Sequence, residues 1–158
     1  MRRIATLAFA FASLASPLAA QSHPDFSGKW VLDTKASEGP MMPTAMTIVV
    51  TQDAKTLKVD NTSSMGEQKT STSLTYNLDG TPAKNTLSNM GQSLDLTSTS
   101  KWEGAMLVVS TQADLGAGRM LSQTDHWSFS PDHKTLLLTR DVNVSGQTMA
   151  IKMTFVKP

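Results

Sequence analysis

No cysteine occurs in the 158 residues, which excludes disulfides, thiolate nucleophiles and cysteine-held metals and leaves stability to packing and backbone ladders. Charge is scarce and balanced, with fourteen Lys and Arg against thirteen Asp and Glu. Neither nucleic acid nor an anionic membrane surface is expected as the main partner of such a chain. The histidines His23, His126 and His133 are scattered, and no His-x-x-x-His or carboxylate cluster has ligand spacing, so no zinc site is expected. Gly-x-Ser-x-Gly is absent, as is an evident acid pair, and Gly116-Ala117-Gly118 lacks the Lys and the following helix of a phosphate cradle. These gaps predict no catalytic residue, no cofactor and no enzyme activity.

Long apolar runs are missing too, apart from one at the start. Met1-Arg2-Arg3 precedes an apolar stretch at about residues 4–15, then Ser16-Pro17-Leu18-Ala19-Ala20 before the chain turns polar at Gln21. This pattern predicts a secretory signal peptide at residues 1–20, cut after Ala20. The stretch is too short to span as a mature helix, so no integral membrane segment is expected in the mature chain. Export to a periplasm or beyond follows. Losing Arg2 and Arg3 leaves twelve basic against thirteen acidic side chains, a charge of about −1. The remaining residues make one ordinary domain with room for a core.

What the chain has in quantity is alternation. Through residues 123–155 one face reads Trp127, Phe129, Leu136, Leu138, Val142, Met149, Ile151, Met153, Phe155. That period of two, carried across three strands, predicts an antiparallel meander. Ser130-Pro131-Asp132-His133-Lys134 and Ser145-Gly146 supply its turns. Pairing Pro131 with Lys134 sets Phe129 opposite Leu136, Trp127 opposite Leu138 and Asp125 opposite Arg140. Pairing Val144 with Gln147 sets Val142 opposite Met149, Arg140 opposite Ile151 and Leu138 opposite Met153. Both registers keep the apolar sets on one face, which also turns an Asp and an Arg inward.

Upstream, residues 21–27 read as a short leader and residues 28–33 as a first strand. Residues 34–43 contain Gly39, Pro40 and Pro43 and are poor helix material. Further strands are expected at 45–52, 56–63, 69–78, near 84–88, at 93–102, from Ala105 onward, and at 119–130. Pairing Gln52 with Lys55 places Val50 opposite Leu57; pairing Trp102 with Ala105 places Ser100 opposite Leu107 and Ser98 opposite Val109. Many short strands joined by short turns predict an all-β fold, an antiparallel up-and-down β-barrel of eight to ten strands filling residues 28–158. Closure would remove exposed edges.

Phe26-Ser27-Gly28-Lys29-Trp30, a Gly-x-Trp heading the first strand, resembles the calycin superfamily of lipocalins, fatty-acid-binding proteins and avidins. Lys101-Trp102-Glu103-Gly104 and Lys134-Thr135-Leu136-Leu137-Leu138 resemble late-strand turns of the fatty-acid-binding group. The opening Phe-Ser-Gly-Lys-Trp-Val-Leu-Asp, with Lys35 and Ser37, is similar to exported bacterial lipocalin-like proteins of unassigned function. The resemblance implies a calycin-like barrel in which Gly28 and Trp30 are structural. It also implies a basic side chain laid across Trp30, for which Arg140, Lys152 and Lys157 are candidates. Two departures matter. Residues 34–43 are too short for a helical lid, and Lys152-Met153-Thr154-Phe155 stands where that group has an Arg-x-Tyr carboxylate clamp.

Arg140 and Asp125 are the leading site candidates, because charges on an apolar face are costly unless paired. Arg140 would offer planar donors to a headgroup with Asp125 holding it, or the two form a structural ion pair. Trp127, Tyr76, Met106, Met149, Met153 and Phe155, with Phe129, either line a cavity or fill a core. Inward Thr70, Thr72, Ser98 and Ser100 leave room, and flexible methionines suit varied apolar ligands. The expected function is non-covalent binding of a small hydrophobic or amphiphilic ligand inside the barrel. Two alternatives stand beside it. One is a filled barrel acting through surface protein or envelope interactions, and the other is copper(I) handling by Met41, Met42 and Met46 with His23.

Overall fold

The computed structural model describes residues 23–89 and 92–158. The expected signal peptide at 1–20 lies outside them, as do residues 21–22 and Met90-Gly91 of one expected turn. Ten strands follow in order: β1 (Gly28–Leu32), β2 (Ala45–Gln52), β3 (Thr56–Met65), β4 (Gln68–Asn77), β5 (Ala83–Asn89), β6 (Gln92–Glu103), β7 (Met106–Asp114), β8 (Met120–Phe129), β9 (Thr135–Val144) and β10 (Gln147–Val156). All neighbours are antiparallel, in the order β4-β3-β2-β1-β10-β9-β8-β7-β6-β5. This is an up-and-down barrel, nearly closed, with no helix and no helical lid among the described residues.

The meander β8–β9–β10 has the registers its alternation demands, with Asp125 opposite Arg140, Trp127 opposite Leu138, and Arg140 in turn opposite Ile151. Two earlier hairpins differ from expectation by two residues. Val50 lies opposite Val59 rather than Leu57, and Ser100 opposite Val109 rather than Leu107. In the first, Asp53 Oδ1 accepts the N–H groups of Lys55 and Thr56, both at 2.7 Å, and the Asp53 N–H donates to the Thr56 carbonyl at 3.0 Å. Ala54 and Lys55 therefore form the tip, one position later than Gln52 and Lys55 would close it. In the second, Glu103 pairs with Met106, leaving Gly104 and Ala105 at the tip, where Gly104 takes a φ of +63°. Because each slip is two residues, side-chain faces are unchanged.

Closure is made differently at two places. β4 and β5 share no backbone ladder, but the Asn85 side chain does the work of one: its Oδ1 accepts the Thr75 N–H at 2.8 Å and its Nδ2 donates to the Thr75 carbonyl at 2.9 Å. The Ser100 hydroxyl donates to the Asn77 carbonyl beside it. On the far side, β1 pairs with β10 only at Val31–Val156 and Leu32–Phe155. The β1–β2 connection then continues the cover over β10. The backbone of Glu38 exchanges hydrogen bonds with Lys152 at 2.8 and 2.7 Å, and the Ser37 hydroxyl accepts the Thr154 N–H at 3.0 Å. Gly39 permits this approach: with φ +148°, any Cβ there would lie 3.0 Å from the Ile151 Cα.

One end of the barrel is packed shut. Phe26, fully buried, sits with its ring centroid 5.1 Å from Phe129, 6.0 Å from Trp102 and 6.1 Å from Trp127. Its N–H donates to Gln52 Oε1 at 3.0 Å, while Gln52 Nε2 donates to the Pro24 carbonyl at 2.9 Å. Residues 24–27, expected as a leader outside the domain, therefore belong to the barrel floor. Trp30 Nε1 donates to the Phe26 carbonyl at 3.0 Å, and Lys157, of the three basic candidates, places its Nζ 5.2 Å from the Trp30 ring centre. Gly28 adopts a φ of +134°, a conformation that side chains disfavour.

Candidate functional site

Above this floor the interior is not filled. A cavity of about 240 Å³ is bordered by residues of β2 through β9 and walled mainly by apolar side chains including Ile48, Val59, Leu74, Leu121 and Leu138. Its polar wall comes from Arg140, Tyr76, Trp127, Gln123, Asn61 and Thr72. A second recess of about 190 Å³ at the opposite end to the floor is lined by Met41, Met42, Pro43, Met65, Ile151 and Met153. Met46, Asn61 and Arg140 belong to both walls, so these three side chains stand between the recess and the cavity.

Arg140 is held there by a bidentate pair. Its Nε donates to Asp125 Oδ1 at 2.7 Å and its Nη2 to Asp125 Oδ2 at 2.9 Å. Gln123 Nε2 adds a third donor to the carboxylate, 2.9 Å from Oδ2. Asp125 is 1% exposed and the Arg140 side chain 27% exposed, so the carboxylate lies beneath and the guanidinium faces the space. Arg140 has five N–H donors, and these two bonds leave three for something else. Burial pulls the Arg140 pKa down, but the Asp125 charge and its hydrogen bonds outweigh that, and Arg140 stands above its ordinary value. Tyr76 is pushed well above the usual phenol range, chiefly by burial and then by the Asp125 carboxylate, so it is a neutral hydroxyl at any ordinary pH. Two buried polar atoms are left over: Trp127 Nε1 and Asn61 Oδ1 have no hydrogen-bond partner among the described residues.

Of the candidates drawn from the sequence, Arg140, Trp127 and Tyr76 line the cavity, and Asp125 supports Arg140 from behind. Met153 lines the outer recess. Phe155, fully buried, belongs to the core rather than to either space. Met149 faces inward one pair nearer the rim than Ile151 and lines neither space. Met106 is a correction. Leu107 and Val109 point into the core, so Met106 turns outward, where it borders a shallow groove with Pro24, Ala105 and His133. Gln123 and Asn61 were missed, although strand alternation places Gln123 on the face of Asp125, and Asn61 on that of Val59. Among the described residues no cluster of His, Asp and Glu could hold a metal ion. His23 stacks on Trp102 at the floor, 4.2 Å between ring centres, and not on the early methionines.

No protein-family model matches this chain, and no curated protein matches its sequence significantly.

Proposed function

We propose that this protein is an exported, lipocalin-like carrier that holds a small, largely apolar ligand non-covalently inside its barrel. One observation carries the reading: an apolar-walled cavity of about 240 Å³ into which a buried carboxylate presents a guanidinium with donors to spare. Apolar ligand surface leaving water would drive binding, at about 25 cal/mol per Å² before ordering costs. Arg140 would orient the polar end. The open space favours this reading over a barrel filled by its own side chains and acting only through its surface.

The test is native mass spectrometry of gently isolated protein with organic extraction of bound material, paired with Arg140→Leu. A reproducible extra mass that moves into solvent supports a carrier, and the variant is expected to fold and to change headgroup preference. Unchanged affinity for every amphiphile tried would make Arg140 purely structural. A second reading rests on the outer recess, where Met41, Met42 and Met46 gather with Met65 and Met153. Thioethers are soft ligands suited to copper(I). Replacing Met41, Met42 and Met46 together by Leu should abolish copper(I) uptake, and unaltered uptake would end that reading.

A further inference from the structure

We infer that the interior site selects a ligand of about ten non-hydrogen atoms with an apolar body and a neutral polar head, a carbonyl with an adjacent N–H or O–H, and discriminates against carboxylates. This deepens the carrier reading above and rests on it.

Charge comes first. The Arg140 guanidinium has its counter-ion already: Asp125 accepts both Nε–H and Nη2–H, and Gln123 completes the carboxylate's bonding. A neutral pair is a poor receiver for another anion. A ligand carboxylate at Arg140 would bring a second negative charge close to Asp125 inside an apolar wall, where repulsion from Asp125 offsets attraction to Arg140. A neutral carbonyl oxygen accepts from the free Arg140 donors without adding charge.

Hydrogen bonding comes second. Trp127 lines the cavity and is 2% exposed, and its buried Nε1–H has no partner. Asn61 of β3 lines the same cavity, and its buried Oδ1 is an acceptor without a partner. Buried groups without partners are rare in folded proteins because each costs desolvation, so a pair of them on residues that border one space points to what that space receives. A head that both accepts and donates satisfies donors at Arg140 and Trp127 and the acceptor at Asn61. A carboxylate, which only accepts, would leave Asn61 Oδ1 unmet.

Size comes third. An apolar cavity of about 150 Å³ accommodates benzene, so by proportion a space of about 240 Å³ holds roughly ten non-hydrogen atoms. This is smaller than the usual range for drug-sized ligands.

The experiment is calorimetry at pH 7 with three probes of nearly equal length, octanamide, octanoate and nonane, on the purified protein and on Asp125→Asn. Octanamide should bind at least tenfold more tightly than octanoate. In Asp125→Asn, which keeps an acceptor for Arg140 but removes the counter-charge, octanoate should gain at least tenfold and the preference narrow or reverse. Octanoate binding the natural protein as tightly as octanamide overturns the inference, whether or not the variant folds. Nonane binding as tightly as octanamide overturns it too, while the carrier reading survives. If none of the three probes binds, the carrier reading fails and this inference fails with it.

Discussion

Asp125 is the residue on which the site's order depends. It is 1% exposed and accepts three hydrogen bonds, from Arg140 twice and from Gln123. Removing one partner of a buried pair costs about 3–5 kcal/mol because the other charge is stranded; Arg140 retains some solvent, so Asp125→Ala should lose about 3 kcal/mol, at the lower end. Urea unfolding reads this directly, and a loss under about 1 kcal/mol would mean the pair is effectively wet. Tyr76 offers a cleaner probe, since it is the single tyrosine of the chain. Its folded pKa is raised, so the stability it contributes is complete below its unfolded value of about 10 and is lost as pH rises past that. Alkaline titration followed by tyrosinate absorbance should show no ionisation near pH 10 while the protein remains folded, and then a cooperative rise on unfolding. A reversible titration near pH 10 in folded protein would place the hydroxyl in water. At this scale the sequence was readable wherever parity alone decides, as for Asp125, Arg140 and Trp127. Parity also settles Met106, because it must alternate with Leu107; grouping it with the cavity methionines followed residue type instead of position. Asn61 and Gln123 obey the same alternation, but their polarity reads as solvent exposure until a cavity is known to lie there.

At the scale of the strand, the β4–β5 seam makes the sharpest prediction. Only the Asn85 amide bridges Thr75 there in ladder fashion, with bonds of 2.8 and 2.9 Å. Asn85→Ala should therefore raise hydrogen exchange at the Thr75 amide at least tenfold with little change in β8, β9 and β10, measured by nuclear magnetic resonance. Protection at Thr75 equal to that of the natural protein would mean that the seam is held by other groups. Neither the seam nor the slipped hairpins were visible in the letters. A turn's tip depends on which carbonyl and carboxylate capture the free N–H groups, as Asp53 does for Lys55 and Thr56, and that choice leaves alternation untouched.

For the molecule as a whole, carboxylates in the turns should contribute to the acid limit. Asp53, Asp79 and Asp132 are all held below the ordinary carboxylate range, by the Lys55 backbone N–H, by the Thr81 side chain and by the Ser130 side chain respectively. A depressed folded pKa gives stability that is present above the unfolded value of about 4 and disappears as pH falls through the folded value. Thermal midpoints should be flat through neutral pH and drop below about pH 4, and a decline beginning near pH 6 would assign the acid limit to other groups. The barrel itself followed from sequence, since many short alternating strands with short turns leave few other ways to hide edges. The letters left a lined cavity and a filled core both open, because whether facing side chains meet depends on distances across the barrel that no local pattern encodes. Phe26 illustrates the same limit: only the closed shape reveals that a residue ahead of the first strand is the floor.

The seating of β1 between β2 and β10 gives the fold an order in time. Val31 pairs with Val156 of β10, so the β1–β10 contact cannot form until the tenth strand is available. Synthesis therefore releases β1 long before its partner β10, and the barrel must wait, with one edge of β1 and one of β9 uncovered, for the ten residues of β10.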